Sequence, residues 1–485
     1  MLLSQVLAGI KATWNKKMDV EIKSVAYNSQ KVKEGSLFVC IKGFATDGHR
    51  YIADALSRGA VAVVLEDDAD TAGAVKIKVD DSRKALAQIG ANWFSHPQDK
   101  LKIIGVTGTN GKTTVTSLIK QILEFTGKKV GLIGTNGNMI GDRLLPSERT
   151  TPESFELQEL FSNMVESGVE YVVMEVSSHS LVLSRVFGIE FEAGIFTNLT
   201  QDHLDFHTTM DNYFEAKNML FSMCKTAVIN VDDSYGAKIA DQAKCVKMTY
   251  AIDNEADFMA ENLRISARGI LFDLLNKDVK YAARLGIPGR FSVYNAMAAL
   301  VSCIGLGIDA EEALTALTVA QGVKGRAETV YTDTDYTVII DYAHTPDGLE
   351  NIISTVSEFA QGRVITLFGC GGDRDNTKRP IMGEIAGKLS DYCIITSDNP
   401  RTEDPALIIR QIEEGIKKTD CEYVTILNRR EAISYALSIG EKGDCIILAG
   451  KGHETYQIIG KEKIDFDERD VIKEILEGKA RHESN

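Results

Sequence analysis

Short uninterrupted apolar runs recur along the chain, separated by stretches whose apolar residues fall at helical spacing. In the first hundred residues such runs occupy Ser36 to Ile41 and Ala60 to Leu65, and the segment closes on the polar stretch His96, Pro97, Gln98, Asp99, Lys100, which reads as a linker. From Leu101 the alternation becomes regular: LKIIGVT, a helix through Thr126, VGLIGT, a helix from Ser154 to Ser167, YVVMEVSS, AGIFTNL and TAVINVD. Strands that are apolar throughout and alternate with helices predict a parallel sheet covered on both faces. A helical stretch from Asn295 to Ala320 and the polar turn GVKGRAE lead into a second alternation, YTVIIDYA, RVITLFGCGG, YCIITSD, YVTIL and DCIILAG, with helices between. That predicts a separate doubly wound unit. The expectation is an α/β protein of three domains: a smaller α/β N-terminal domain over 1–98, a central parallel-sheet domain over 99–325 and a Rossmann-like C-terminal domain over 326–485. A cleft between the two larger domains is the expected place for a shared ligand.

Composition narrows the partners. A chain of 485 residues is too long for one core. With 54 Lys+Arg against 69 Asp+Glu the net charge is −15, which argues against nucleic acid or an anionic membrane surface and leaves anion binding to local pockets. The eight cysteines show no CxxC spacing, and no leader segment or bilayer-length apolar run is present, so a cytoplasmic protein with reduced thiols is expected.

The central unit carries the clearest chemistry. Residues 105–114 read GVTGTNGKTT, a glycine-rich turn between a strand and a helix. Gly108 and Gly111 let backbone N–H groups approach phosphates, the helix N-terminus adds positive potential, Lys112 can reach β/γ oxygens and Thr113 can offer its hydroxyl to Mg²⁺. Val106 stands where the strict P-loop pattern has its first glycine, so an ordinary Gly-rich turn is the alternative. Glu175, at the end of a buried strand, is placed to hold Mg²⁺ or else to face solvent. The loop NLTQDHLDFH brings Asp202, His203, Asp205 and His207 together, where a helix cap by either aspartate competes with metal or phosphate handling. Lys217 lies in the aromatic helix YFEAKNMLF; beside Mg²⁺ it would have to lose its positive charge.

Taken in order, GTNGKTT, MEVSSHS, NLTQDHLDFH, YFEAKNMLF, PGRFSVYNAMAA, GVKGRAE, DYAHTPD and GCGGDRDNTKRP make the whole chain resemble the Mur ligases, ATP-dependent amide-forming enzymes of peptidoglycan precursor synthesis. The resemblance implies that ATP is bound by Thr107, Gly108, Thr109, Asn110, Gly111, Lys112, Thr113 and Thr114, with Asn295 at adenine and Arg326, Asp341 and His344 orienting the nucleotide. It implies an N6-carboxylated Lys217, and two Mg²⁺, one on Thr113 and Glu175 and one on His203 and the Lys217 carbamate. Lys112, Glu175, His203 and Lys217 are the catalytic set it implies.

Within the family the chain looks most like the ligases that add the third peptide residue. That likeness implies UDP-MurNAc-L-Ala-D-Glu as substrate, held by Ser29, Thr150, Thr151, Ser177, Arg185 and Lys217, with Gly43 to Thr46 lining a uracil pocket. Asn28 and Gln30 depart from that group's Asp-Ser-Arg, and Leu183 stands where relatives often have glutamine. The run Asp398, Asn399, Pro400, Arg401 implies meso-diaminopimelate as the incoming amino acid, with Arg374, Gly450 and Glu454 completing its site. The chemistry agrees, because diaminopimelate has a distal carboxylate that lysine lacks and a guanidinium grips carboxylate bidentately. Outside any family, the same run is a turn before a helix from Pro405. The remaining alternatives are ligation of L-lysine, a folylpolyglutamate synthetase-like enzyme, and a non-catalytic ATP-binding switch. A monomer acting on small molecules alone is expected.

Overall fold

The structure, a computed structural model, describes residues 1–15, 19–43, 46–147, 149–266 and 269–483. Phe44 and Ala45, part of the expected uracil pocket, lie outside the described residues.

The chain builds its main sheets in sequence order. The first sets Ala12–Trp14, Val75–Val79, Ala60–Leu65, Ser36–Val39 and Ser24–Ala26 side by side, parallel except for Ala12–Trp14. Ser36–Val39 is buried at every position, and the helix Ser82–Trp93, capped by the Asp81 carboxylate, packs with it into one core. The polar stretch expected as a linker is a tight corner instead. Pro97–Lys100 forms a 3-10 turn with Pro97 and Gln98 buried against the helix Ser154–Glu166, since proline at the first helical position presets the turn.

Seven parallel strands form the middle of the second sheet, in the order Phe258–Ser266, Val246–Ala251, Cys224–Asn230, Phe191–Phe196, Lys102–Thr107, Tyr171–Glu175, Val130–Gly134. Lys102–Thr107 lies between strands reached by crossovers in opposite directions, so a crevice opens beyond its carboxyl end. Apolar clusters cover both faces. Antiparallel strands extend this sheet at each edge, Gly269–Asn276 with Val279–Leu285 and Gly137–Ile140 with Arg143–Leu145. The alternation of continuous apolar runs did not predict them, because strands that are covered on one face only do not read as such runs. The helical stretch from Asn295 to Ala320 divides into Arg290–Gly305 and Ala310–Val319, with Gly307 at φ +86° ending the first.

The third sheet runs Glu328–Val330, Thr337–Asp341, Cys445–Ala449, Val364–Phe368, Tyr392–Thr396, Glu422–Ile426, parallel but for its first strand, with helices on both faces. A hairpin, Tyr456–Ile459 with Glu462–Asp465, follows its central strand. Among the described residues no helix is long and apolar enough to cross a membrane.

Candidate active site

The glycine-rich turn leaves Lys102–Thr107 and enters the helix Lys112–Phe125. Its shape is imposed from the neighbouring strand end: Thr109 N–H donates to the Asn198 carbonyl at 2.8 Å, Asn110 N–H to Asn198 Oδ1 at 2.9 Å, and Thr197 Oγ1 to the Asn110 carbonyl at 2.6 Å. Gly108 and Gly111 are required here. A Cβ on the first would fall 1.9 Å from Thr197 Oγ1, and on the second 2.3 Å from Asn295 Oδ1, with φ at +147° and +86°. Lys112 Nζ folds back onto the carbonyls of Gly108 and Thr109, at 2.9 and 2.8 Å, and its enclosure lowers the ammonium pKa.

Glu175 ends the adjacent strand with 1% of its surface exposed. Its Oε1 accepts from Thr113 Oγ1 at 3.0 Å and from Thr135 N–H at 2.9 Å, and Oε2 accepts from Thr135 Oγ1 at 3.1 Å. Thr113 and Glu175 therefore present a hard oxygen set beside the glycine-rich turn, which fits Mg²⁺. Thr135 belongs to the same cluster and was not singled out from the sequence. Its only signal was its place at the end of the strand VGLIGT.

Lys217 is 1% exposed on the helix Met210–Asn218. Its Nζ donates to the Gly108 carbonyl at 2.7 Å and lies 4.5 Å from the Tyr213 ring centroid. Burial, reinforced by the Lys112 charge, holds its pKa well below the ordinary lysine value. His203 sits in the left-handed region at φ +53°, its Nε2 3.4 Å from Asp202 Oδ2. Desolvation in the cleft, only partly offset by Asp202, pushes its imidazole down to about 4 and leaves a lone pair for a metal. His207 Nε2 is paired with Ser178 Oγ at 2.8 Å, which makes it a loop-shaping group.

The third sheet brings a second set of residues to the same crevice. Arg326 lays its guanidinium 4.8 Å over the Tyr342 ring and reaches Thr113 Oγ1 at 3.4 Å. Glu328 pairs with Arg469 rather than with Arg326. Asp341 accepts from the N–H groups of Ala327 and Ala343, at 2.6 and 2.7 Å, and so ties the Arg326 turn to the strand end. Asp347 accepts from the Asn110 amide and from Thr200 Oγ1, joining the helix Pro346–Ser357 directly to the glycine-rich turn.

Two cavities result, meeting at Tyr342, His344 and Thr345. One, of ≈460 Å³, is lined by Asn110, Gly111, Thr113, Thr114, Asn295, Arg326, Asp341 and His344 among others. The other, of ≈420 Å³, gathers Asp202, His203, His344, Arg374, Lys378, Asp398, Asn399, Arg401, Gly450 and Glu454. Arg401 stands at φ +52°, with its Nη1 donating to the Gly372 carbonyl at 2.7 Å. Pro400 shapes the same turn, its carbonyl accepting from Glu403 N–H at 3.1 Å. Gly450 is at φ +114°, where a Cβ would lie 2.6 Å from Asp398 Oδ2. Arg374 is exposed at the rim.

The remaining expected residues lie outside these cavities. Thr151 Oγ1 donates to the Glu175 carbonyl at 2.8 Å and to Ser177 Oγ at 3.3 Å, Arg185 Nη1 donates to the Thr151 carbonyl at 3.1 Å, and Thr150 Oγ1 is 3.0 Å from Thr135 Oγ1. They therefore cluster on the far side of Glu175. Ser29 is buried in the first unit's 3-10 turn Ser29–Lys31, and the nearby Tyr27 hydroxyl donates across to Glu156 at 2.6 Å.

Comparison with known proteins follows this division. Three Mur ligase models match: the family catalytic domain over residues 21–94, the middle domain over 106–303 and the glutamate ligase domain over 325–452. The UDP-N-acetylmuramoyl-L-alanyl-D-glutamate--2,6-diaminopimelate ligase of Clostridium botulinum is 51% identical over 482 residues, covering 98% of this chain and 99% of that protein. The ligase of the same name from Caldanaerobacter subterraneus subsp. tengcongensis is 53% identical over 481 residues, with 98% and 99% covered. A solved structure of a ligase of that name aligns with a TM-score of 0.70 at 31% identity, covering 96% of this chain and 98% of that one.

Proposed function

This chain belongs to the Mur ligase family, and on that premise we propose that it joins meso-2,6-diaminopimelate to the D-glutamate of UDP-N-acetylmuramoyl-L-alanyl-D-glutamate at the expense of ATP. The observation that carries the reading is the juxtaposition of the two cavities: a phosphate cradle on one side of Tyr342–Thr345 and a turn bearing Arg401, with Glu454 opposite, on the other. The reaction runs by acyl activation. The D-glutamate γ-carboxylate attacks the ATP γ-phosphate, giving an acyl phosphate and ADP, and the diaminopimelate amine then displaces phosphate to form the amide, losing a proton.

The residues divide this work. Backbone N–H groups of the turn from Thr107 to Thr114 hold the triphosphate, Lys112 leaves its resting carbonyl contacts for phosphate oxygens, and Arg326 adds positive charge from the opposite wall. Asn295 offers its amide to adenine, while Asp341 and His344 shape the nucleotide's remaining edge. Thr113 with Glu175, and His203 with a carbamylated Lys217, would hold Mg²⁺, which when bound would supply positive charge against the transferring phosphoryl group. The buried Lys217 amine supports the carbamate: in its deprotonated form its nitrogen adds to CO₂ and a proton is released, leaving an anionic ligand where an ammonium would otherwise stand. Ser29, Thr150, Thr151, Ser177 and Arg185 bind the UDP-linked dipeptide. Arg401 and Arg374 take the distal carboxylate of diaminopimelate, and Asn399 and Glu454 lie beside its distal ammonium. In this reading the chain divides into domains over 1–98, 99–325 and 326–485 and acts as a cytoplasmic monomer.

Phosphate release should require both the UDP-linked dipeptide and an amino acid, with diaminopimelate strongly preferred over L-lysine in direct competition, because lysine would leave Arg401 unpaired. Equal turnover of the two amino acids would overturn the substrate assignment, and phosphate release from ATP alone would favour a nucleotide switch.

A further inference from the structure

Lys451 follows Gly450 at the end of the strand Cys445–Ala449 and is wholly buried, although no role in the reaction has been assigned to it above. Its Nζ donates to Asn399 Oδ1 at 3.2 Å and to Glu454 Oε2 at 3.1 Å. Asn399 Nδ2 also donates to Glu454 Oε2, at 2.8 Å, which closes a triangle of three side chains. Asn399 Oδ1 accepts a second bond, from Ile458 N–H at 2.9 Å. With two donors on that oxygen the amide has one orientation, its NH₂ towards Glu454. The hairpin that supplies Ile458 also holds the neighbouring turn, since Arg401 N–H donates to the Ile458 carbonyl at 3.2 Å and Gly460 N–H to the Arg401 carbonyl at 2.8 Å.

A buried ammonium needs a reason, because desolvating it is costly unless its partners return the energy. Here the partners are two groups that line the amino-acid cavity. We propose that Lys451 is a positioning residue for amino-acid recognition, fixing Asn399 as a donor and Glu454 as an oriented carboxylate so that together they read the charged amine-bearing end of the incoming amino acid. The inference rests on the ligase reading above. Without the ammonium, the Glu454 carboxylate loses its charged donor and Asn399 Oδ1 keeps only the Ile458 N–H, so both groups are held less firmly. Substrate would then have to organise the site as it binds, which weakens amino-acid binding and leaves the phosphate cradle untouched.

The test is steady-state kinetics on the full-length enzyme, varying each of the three substrates in turn. Lys451→Met should raise the KM for diaminopimelate about 30-fold, as expected when hydrogen bonds to charged groups are lost, with KM for ATP and for the UDP-linked dipeptide within about threefold of the parent. Lys451→Gln, which keeps a shorter donor, should fall between the two and serves if the methionine variant does not fold. In a Glu454→Gln background Lys451→Met should add little, because both act through one subsite. A KM for diaminopimelate that is unchanged in folded variants, that rises equally with the other two, or that adds independently of Glu454→Gln would overturn the positioning role. Parent enzyme that releases phosphate without any amino acid would instead remove the underlying reading, and the inference with it.

Discussion

The cavity over the glycine-rich turn is walled largely by backbone and short side chains, and its geometry is held by the strand ends themselves. The cavity beside it collects charged side chains from separate loops: Arg374, Asp398, Arg401 and Glu454. In the first, Thr197 and Asn198 clamp the turn through 2.6–2.9 Å bonds, and the residues that make the approach possible are glycines. In the second, Arg401 is kept at φ +52° by an adjoining hairpin, and the buried Lys451 donates to Asn399 and Glu454. A triphosphate presents the same set of anionic oxygens wherever it binds, so a rigid backbone cradle suffices for it. An amino acid must be told from close analogues, which calls for placed charges.

Changes in the two cavities should therefore have different kinetic signatures. The largest effect is expected for Lys217→Ala, which removes the amine proposed to carry the carbamate and should lower kcat by at least about 10³-fold, in the range of losing a principal transition-state charge. Partial recovery with acetate or propionate would mark the carbamate as the missing group, and full activity without them would exclude it. Arg401→Ala should act on the other cavity, raising the KM for diaminopimelate about 100-fold while the KM for ATP stays within about threefold, since a charged hydrogen-bonded pair is worth about 3 kcal/mol. A matching rise in both constants would break the proposed division. The smallest effect is expected for Asp347→Ala, which deletes the bonds to Asn110 and Thr200 that tie the third unit to the glycine-rich turn. About 1 kcal/mol lost on closure should lower kcat/KM for ATP about fivefold, and no change would mean that this contact does not contribute to closing the cleft.

Much of the molecule was legible because the strands that matter are buried on both faces. Lys102–Thr107, Tyr171–Glu175 and Cys445–Ala449 read as continuous apolar runs for that reason, and their carboxyl ends pointed to Glu175 and to the glycine-rich turn. The extension from Phe258 to Leu285 escaped notice because its strands alternate buried and exposed positions, a weaker signature. The segment His96 to Lys100 looked like a linker because polarity alone does not show that Pro97 and Gln98 pack under a neighbouring helix. Thr135, Asp347 and Lys451 were equally hidden. Threonine, aspartate and lysine are common surface residues, and each acquires meaning from partners 40, 237 and 52 positions away.

Local order in the chain was enough to specify the α/β alternation and the glycine-rich turn, since periodicity and glycine placement act over short distances, whereas the residues of the second cavity were implied only by the resemblance. Folding in three dimensions was needed to bring Lys217 against the Gly108 carbonyl, to lay Arg326 over Tyr342 within reach of Thr113, and to enclose Lys451 between Asn399 and Glu454. Those arrangements depend on burial and on contacts between distant segments, and the charge state of a lysine is set by the dielectric and the partners around it.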